Sequence, residues 1–123
     1  MSLPLLVVDD SRLARRQVVK ALPADWDVDI TLAENGAEAI EYINRGQGEV
    51  VLLDLTMPIV DGYGVLETIK SRDLPAVVIV ISGDIQPEAE ARVKQLGALA
   101  FLKKPVDPET LKNTLKDFGL YTK

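Results

Sequence analysis

The chain contains no cysteine and no histidine, has one tryptophan, two phenylalanines and three tyrosines, and carries fewer basic than acidic side chains. Without cysteine there are no disulfides, no thiolate zinc ligands and no thiol nucleophile. Without histidine the commonest general base and the commonest transition-metal ligand disappear together. Oxygen chemistry survives this pruning: a hard cation held by carboxylates, or a carboxylate acting as nucleophile. The formal net charge of −5 argues against non-specific nucleic-acid binding. No apolar run approaches the roughly 20 residues of a membrane span. No basic-then-apolar leader opens the sequence, so a soluble cytoplasmic protein is expected.

What is present is 47% apolar and 27% charged, which over 123 residues suits one domain, 1–123, able to bury its own core. Short apolar runs recur, each followed by helical spacing. Leu3–Val8 is the first run, and Ser11 can cap a helix carrying Ala14, Val18, Ala21 and Leu22. Trp26–Leu32 alternates Val28, Ile30 and Leu32 against Asp27, Asp29 and Thr31, as a strand with one wetter face does. Asn35 caps a second helix with Ala39, Ile40 and Ile43, stopped at Gly46. Val50–Leu53 is the third run, and a loop through Pro58 and Gly62 leads to a helix with Val65, Leu66 and Ile69. Ala76–Ile81, rich in β-branched residues, suits a central strand buried on both faces. Pro87 opens a helix with Ala89, Val93 and Leu96, closed by Gly97, and Ala98–Leu102 is the fifth strand. Asp107 and Pro108 start a last helix whose inner face is Leu111, Leu115 and Phe118. The pattern is (βα)₅: parallel strands joined by right-handed crossovers, with helices on both faces of one sheet.

Ligands of such sheets sit beyond the carboxyl ends of the strands. The first strand ends in Asp9 and Asp10, the third in Asp54, the fourth in Ser82 and Gly83, and Lys103, Lys104 and Pro105 follow the fifth. Acids crowded at one edge must protonate or hold a cation, and oxygen-only donors select Mg²⁺ or its relatives. A lysine and a hydroxyl opposite them suit phosphoryl oxygens, and a carboxylate can be the phosphoryl acceptor. Residue type alone does not say which aspartate accepts.

Four stretches, VVDDSRLARR at 7–16, LLDLTMPIVDGYGVL at 52–66, VIVISG at 78–83 and GALAFLKKPVD at 97–107, resemble the receiver domain of two-component response regulators. The likeness is to the stand-alone, CheY-like type, and it spans nearly the whole chain. It implies a flavodoxin-like sheet of order 2-1-3-4-5. It implies Asp54 as phosphoacceptor, with Mg²⁺ held by the carboxylates of Asp10 and Asp54, the backbone carbonyl of Thr56, and Asp9 mainly through water. Lys104, before a cis Pro105, would pair with phosphoryl oxygens, while Ser82 and Phe101 would be the switch pair. Phe101 lacks the hydroxyl of the commonest chemotaxis version. The phosphoryl donor would be a histidine kinase or phosphotransfer protein, and output would leave through the surface of the fourth helix, fifth strand and fifth helix. Thr56 and Asp84 would tune self-hydrolysis of the acyl phosphate.

Each feature also has a plain structural reading. Adjacent acids can cap a helix, Pro58 and Gly62 are turn formers, Ser82–Gly83 is an ordinary turn, and a lone Phe101 is core. Only their joint placement on one edge carries weight. Arg12, Arg15, Arg16 and Lys20 give residues 11–22 a local charge of +4, which reads equally as a solvated face and as a docking surface for the kinase. Two other functions are open: a haloacid-dehalogenase-like aspartyl phosphatase and a phosphate-independent pseudo-receiver. The first expects a second acid two positions after the nucleophile, where Thr56 stands, and a nucleophile after the first strand rather than the third.

Overall fold

The structure, a computed structural model, describes residues 2–122. The elements are β1 (Leu3–Val8), α1 (Arg12–Ala21), β2 (Val28–Ala33), α2 (Gly36–Asn44), β3 (Val50–Leu53), α3 (Gly62–Ser71), β4 (Val77–Ser82), α4 (Pro87–Gln95), β5 (Ala100–Lys103) and α5 (Pro108–Asp117). The five strands are parallel in the order β2-β1-β3-β4-β5. Order and class match the sequence expectation.

Alternation along the strands explains why the apolar runs are continuous. Leu6, Val8, Val51, Leu53, Val78 and Val80 face one core with Ala39, Ile43, Val65, Leu66, Ala89 and Val93 of α2, α3 and α4. Leu5, Val7, Val50, Leu52, Ile79 and Ile81 face the other with Val18, Ala21, Leu111 and Leu115 of α1 and α5. A strand covered on both sides has no polar face to show. The caps read from the sequence form: Ser11 accepts from the Ala14 N–H, Asn35 from Glu38, and Asp107 from Thr110. Gly97, at φ +99°, closes α4 as a residue with a side chain would not readily do.

Three expectations fail. In β2 the apolar Ile30 and Leu32 are exposed, while Thr31 is half-buried, and Trp26 lies outside the strand. β2 is an edge strand paired with β1, so its alternation does not meet two layers of cover. The last helix ends at Asp117, and Phe118 is its exposed C-cap rather than an inward residue. Gly119, at φ +72°, turns the chain back, and the buried Tyr121 fills the place instead. Its hydroxyl donates to Asp25 Oδ1 at 2.6 Å, and its ring meets Trp26 edge-on. β5 runs from Ala100 to Lys103, later than the expected 98–102.

The loop after β3 holds Ile59 at φ +70°, with the residue 80% exposed. A β-branched residue in the left-handed region is strained, and nothing is gained by burial. Ile59→Asn should therefore raise stability by about 1 kcal/mol, read as a higher urea midpoint at unchanged slope. An unchanged or lower midpoint would contradict the strain.

Candidate functional site

Strand register decides what meets at the carboxyl edge. Val8, Leu53, Val80 and Phe101 align across β1, β3, β4 and β5. Asp9 and Asp54 are thus the next residues on neighbouring strands, and Asp54 N–H donates to the Val8 carbonyl at 3.0 Å. On the other side, Lys104 N–H donates to the Ser82 carbonyl at 2.9 Å, which brings the lysine to the end of β4. Lys104–Pro105 is cis.

The lysine side chain then reaches across the sheet end. Its Nζ lies 2.6 Å from Asp9 Oδ2 and 3.2 Å from Asp54 Oδ1. Carboxylate oxygens of Asp9, Asp10 and Asp54 come within 4.8 Å of one another. Asp9 and Asp54 are buried and Asp10 is exposed. Among the described residues the Asp10 carboxylate makes no hydrogen bond or ion pair, so its lone pairs are open. Three such carboxylates with oxygen donors alone fit Mg²⁺ well, since this ion keeps waters and accepts phosphate oxygen.

Burial pushes the Asp54 carboxyl above its ordinary value, and the Asp9 charge adds to this, while Lys104 opposes both. For Lys104, burial acts downward, but the hydrogen bond to Asp9 and the charges of Asp54 and Asp9 leave it net above the usual lysine value. The lysine is held as a cation, and Asp54 as a carboxylate whose charge is poorly solvated.

Ser82 is buried, and its Oγ accepts from the Asp84 N–H at 3.0 Å, while Asp84 Oδ1 accepts from Gln86 N–H at 3.1 Å. Ser82 continues the alternation of Val78 and Val80, and half-buried Phe101 packs against that same core. Thr56 and Asp84 are exposed at the rim, and Lys103 is the exposed last residue of β5. The structure therefore brings together Asp9, Asp10, Asp54 and Lys104, sets Ser82 beside them through the lysine backbone, and keeps Phe101 one layer away.

Two residues escaped sequence reasoning. Gly62, read as a turn former, opens α3 so close to β3 that a Cβ there would collide with the Asp54 carbonyl. Arg15, read with Arg12 and Arg16 as either a solvated face or a docking surface, is buried instead, and its Nη1 donates to the Asp9 carbonyl at 2.6 Å. Arg12 and Arg16 remain exposed. The spacing 15, 18, 21, all buried on α1, was the available signal.

The site and fold have clear counterparts among known proteins. The chain is 38% identical over 110 residues to a protein-glutamate methylesterase/protein-glutamine glutaminase of Moorella thermoacetica, covering 87% of this chain and 26% of that one. It is 30% identical to the transcriptional regulatory protein ZraR of Escherichia coli, covering 94% of this chain and again 26% of the relative. The chain thus spans about a quarter of the length of these two relatives. The REC domain of AraT, a response regulator from Geobacillus stearothermophilus, superimposes with a TM-score of 0.81 at 28% identity, over 95% of this chain and 92% of that one. The family described as Response regulator receiver domain matches residues 5–116, from within β1 to the last turn of α5. With that match running through every strand that carries an acid or the lysine to the pocket, the chain belongs to the response regulator receiver domains of two-component signalling.

Proposed function

We propose that this receiver is a phosphorylation-dependent switch in which Asp54 accepts a phosphoryl group from a phosphohistidine on a histidine kinase or phosphotransfer protein. The observation that carries the reading is Lys104 Nζ poised at 2.6 Å from Asp9 and 3.2 Å from Asp54, beside an Asp10 with open lone pairs. Receiver domains bind Mg²⁺ at an acidic pocket, and the three aspartates form one here. Asp10 and Asp54 would hold the ion directly, with the Thr56 carbonyl and, through water, Asp9, whose Oδ2 Lys104 already engages. Bound there, the ion supplies charge neutralisation for the phosphoryl oxygens.

In the transfer, an Asp54 carboxylate oxygen forms the new bond to phosphorus as the bond from phosphorus to the donor imidazole nitrogen breaks. The nitrogen keeps the electron pair. Lys104 holds a phosphoryl oxygen through a charge-assisted hydrogen bond. The modification adds about −1.5 to −2 charge to a buried acceptor. Ser82 is then drawn from its Asp84 contact to donate to the phosphoryl group, loosening residues 83–86, and Phe101 follows inward on the same sheet face. The change would be read by a protein partner at the α4–β5–α5 surface. Arg12 and Arg16 are left to meet the donor, and Thr56 and Asp84 to tune hydrolysis. This reading places the chain in the cytoplasm as a phosphoacceptor rather than a turnover enzyme; no described helix is long and apolar enough to cross a membrane.

Acetyl phosphate with Mg²⁺ should load one phosphoryl group per chain, lost slowly afterwards, by intact mass. Steady hydrolysis of an added phosphomonoester would point to a phosphatase and overturn the reading. Ser82→Ala should still load but switch poorly. A hydrogen bond to a charged group is worth about 1.5–3 kcal/mol, so the ratio of partner affinities with and without phosphate should fall about tenfold or more. Phosphorylation-induced shifts of the Phe101 ring resonances measure this without a partner, and shifts equal to wild type would remove Ser82 from the mechanism.

A further inference from the structure

We infer that Arg15 is a positioning residue for the cation pocket, acting through the backbone of Asp9; the inference rests on the Mg²⁺ reading given above. All the polar groups of Asp9 are engaged. Its N–H donates to the Ala33 carbonyl at 3.1 Å, and its carbonyl accepts from Arg15 Nη1 at 2.6 Å. Its Oδ1 accepts from the Ser11 N–H at 2.9 Å, and its Oδ2 from Lys104 Nζ at 2.6 Å. Three of these partners come from edge strand β2, the start of α1 and the turn after β5. Arg15 is the fourth and the only one contributed by a helix interior, buried beside Val18 and Ala21.

The two cations near the pocket do different work. Lys104 faces the carboxylates and occupies lone pairs that a metal would want. Arg15 faces a carbonyl, so it adds positive charge and fixes the turn from Asp9 to Asp10 without itself occupying a carboxylate oxygen. That turn aims the exposed Asp10 carboxylate, which has no partner of its own among the described residues, toward Asp9 and Asp54. Without the guanidinium a buried carbonyl loses its donor, the turn relaxes, and two adjacent like charges are free to spread apart. Metal affinity should suffer before the chemical step does, because groups that orient ligands act on the geometry of the empty pocket.

The test is a Mg²⁺ titration of the full chain, followed by amide resonances of Asp9, Asp10 and Asp54, on wild type, Arg15→Gln, Arg15→Lys and Val18→Ala. Arg15→Gln should bind Mg²⁺ about tenfold more weakly, the scale of orienting-partner losses. Its rate of loading from acetyl phosphate should return to within about twofold of wild type once Mg²⁺ is saturating. Arg15→Lys keeps a cation with a donor and should recover affinity to within about threefold of wild type. Val18→Ala, which loosens the same helix without touching Asp9, should melt lower yet bind Mg²⁺ as wild type does. Equal Mg²⁺ affinity in Arg15→Gln and wild type would overturn the inference. So would an equal loss in Val18→Ala, or a loading rate still depressed at saturating Mg²⁺. If Arg15→Gln does not fold, Arg15→Met, which keeps the buried stem and lacks the donor, takes its place, and Mg²⁺ binding equal to wild type there overturns the inference. Failure of wild type itself to bind Mg²⁺ would refute the metal reading first, and is seen without any variant.

Discussion

Asp54→Asn should abolish phosphoryl loading and, in the absence of metal, make the protein harder to unfold at neutral pH. Loss of loading follows from chemistry: an amide has no carboxylate oxygen to form the acyl phosphate, and neither Asp9 nor Asp10 substitutes. Asp9 has both oxygens engaged, by Ser11 and Lys104. Asp10 is exposed, without the lysine contact that Asp54 makes. The gain in stability follows from burial. Asp54 is raised above its ordinary 3.8 because its charge is desolvated and lies near Asp9, in spite of Lys104. A carboxyl whose folded value is raised destabilises the fold once it is ionised. The penalty is fully present above the raised value, shrinks as pH falls through it, and vanishes below 3.8, where both states are protonated. The advantage of Asn over Asp should track that window, largest near neutral pH and absent in acid. Urea melts of both proteins in chelator, from neutral to acidic pH, measure it. Wild-type stability equal to or above the variant at neutral pH would contradict the burial argument, and a loaded Asp54→Asn would contradict the acceptor assignment. Adding Mg²⁺ should shrink the advantage, because the ion binds the ionised site and not its amide copy.

The fold could be read from the sequence because the central strands are covered on both faces. Leu5 to Val8, Val50 to Leu53 and Val78 to Ile81 had to be unbroken apolar runs, and helices between them had to cross over. Reading failed where that cover stops. β2 lies at the edge, and its alternating Ile30 and Leu32 mimic an inner face that the structure leaves exposed. Phe118 keeps the helical spacing of Leu111 and Leu115, but spacing cannot announce that the helix ends one residue earlier. Gly119 did carry a signal, since a glycine after a helix often marks the turn that here returns Tyr121 to the core. The pocket was legible for a topological reason: strand ends in a parallel sheet share one edge, so Asp9, Asp10, Asp54 and Lys104 could be gathered without knowing a single distance. Arg15 was not, because charge on a helix reads as solvent-facing unless its phase against Val18 and Ala21 is weighed more heavily than its charge.

Lys104→Met should show the second large effect, and its dependence on conditions is more telling than its size. The lysine is the cation that faces two buried carboxylates, so removing it leaves Asp9 and Asp54 without a counter-charge while Arg15 remains committed to a carbonyl. Breaking one side of a buried pair costs about 3–5 kcal/mol. Since Lys104 keeps 28% of its side chain in solvent, a loss of about 2–4 kcal/mol in chelator is expected. Methionine retains the length of the stem, so the loss reports the charge rather than packing. Three conditions should close the gap to wild type. Mg²⁺ should do so by supplying the missing positive charge. Acid should do so by protonating Asp54, whose carboxyl is raised above its ordinary value. Alkali should do so because Lys104 in wild type is raised above 10.5, so its contribution is whole below 10.5 and is lost as pH climbs through the folded value. A gap insensitive to all three would contradict the role of the lysine as counter-charge to the buried carboxylates. With Mg²⁺ present, Lys104→Met should still take up some phosphoryl group, because Asp54 and the acids remain. Its phosphorylated form should bind a partner no better than its unphosphorylated form, since a phosphoryl oxygen without the lysine has lost one of the contacts that distinguish the two states. An undiminished phosphorylation-dependent change in the Phe101 resonances would show that Ser82 alone carries the switch.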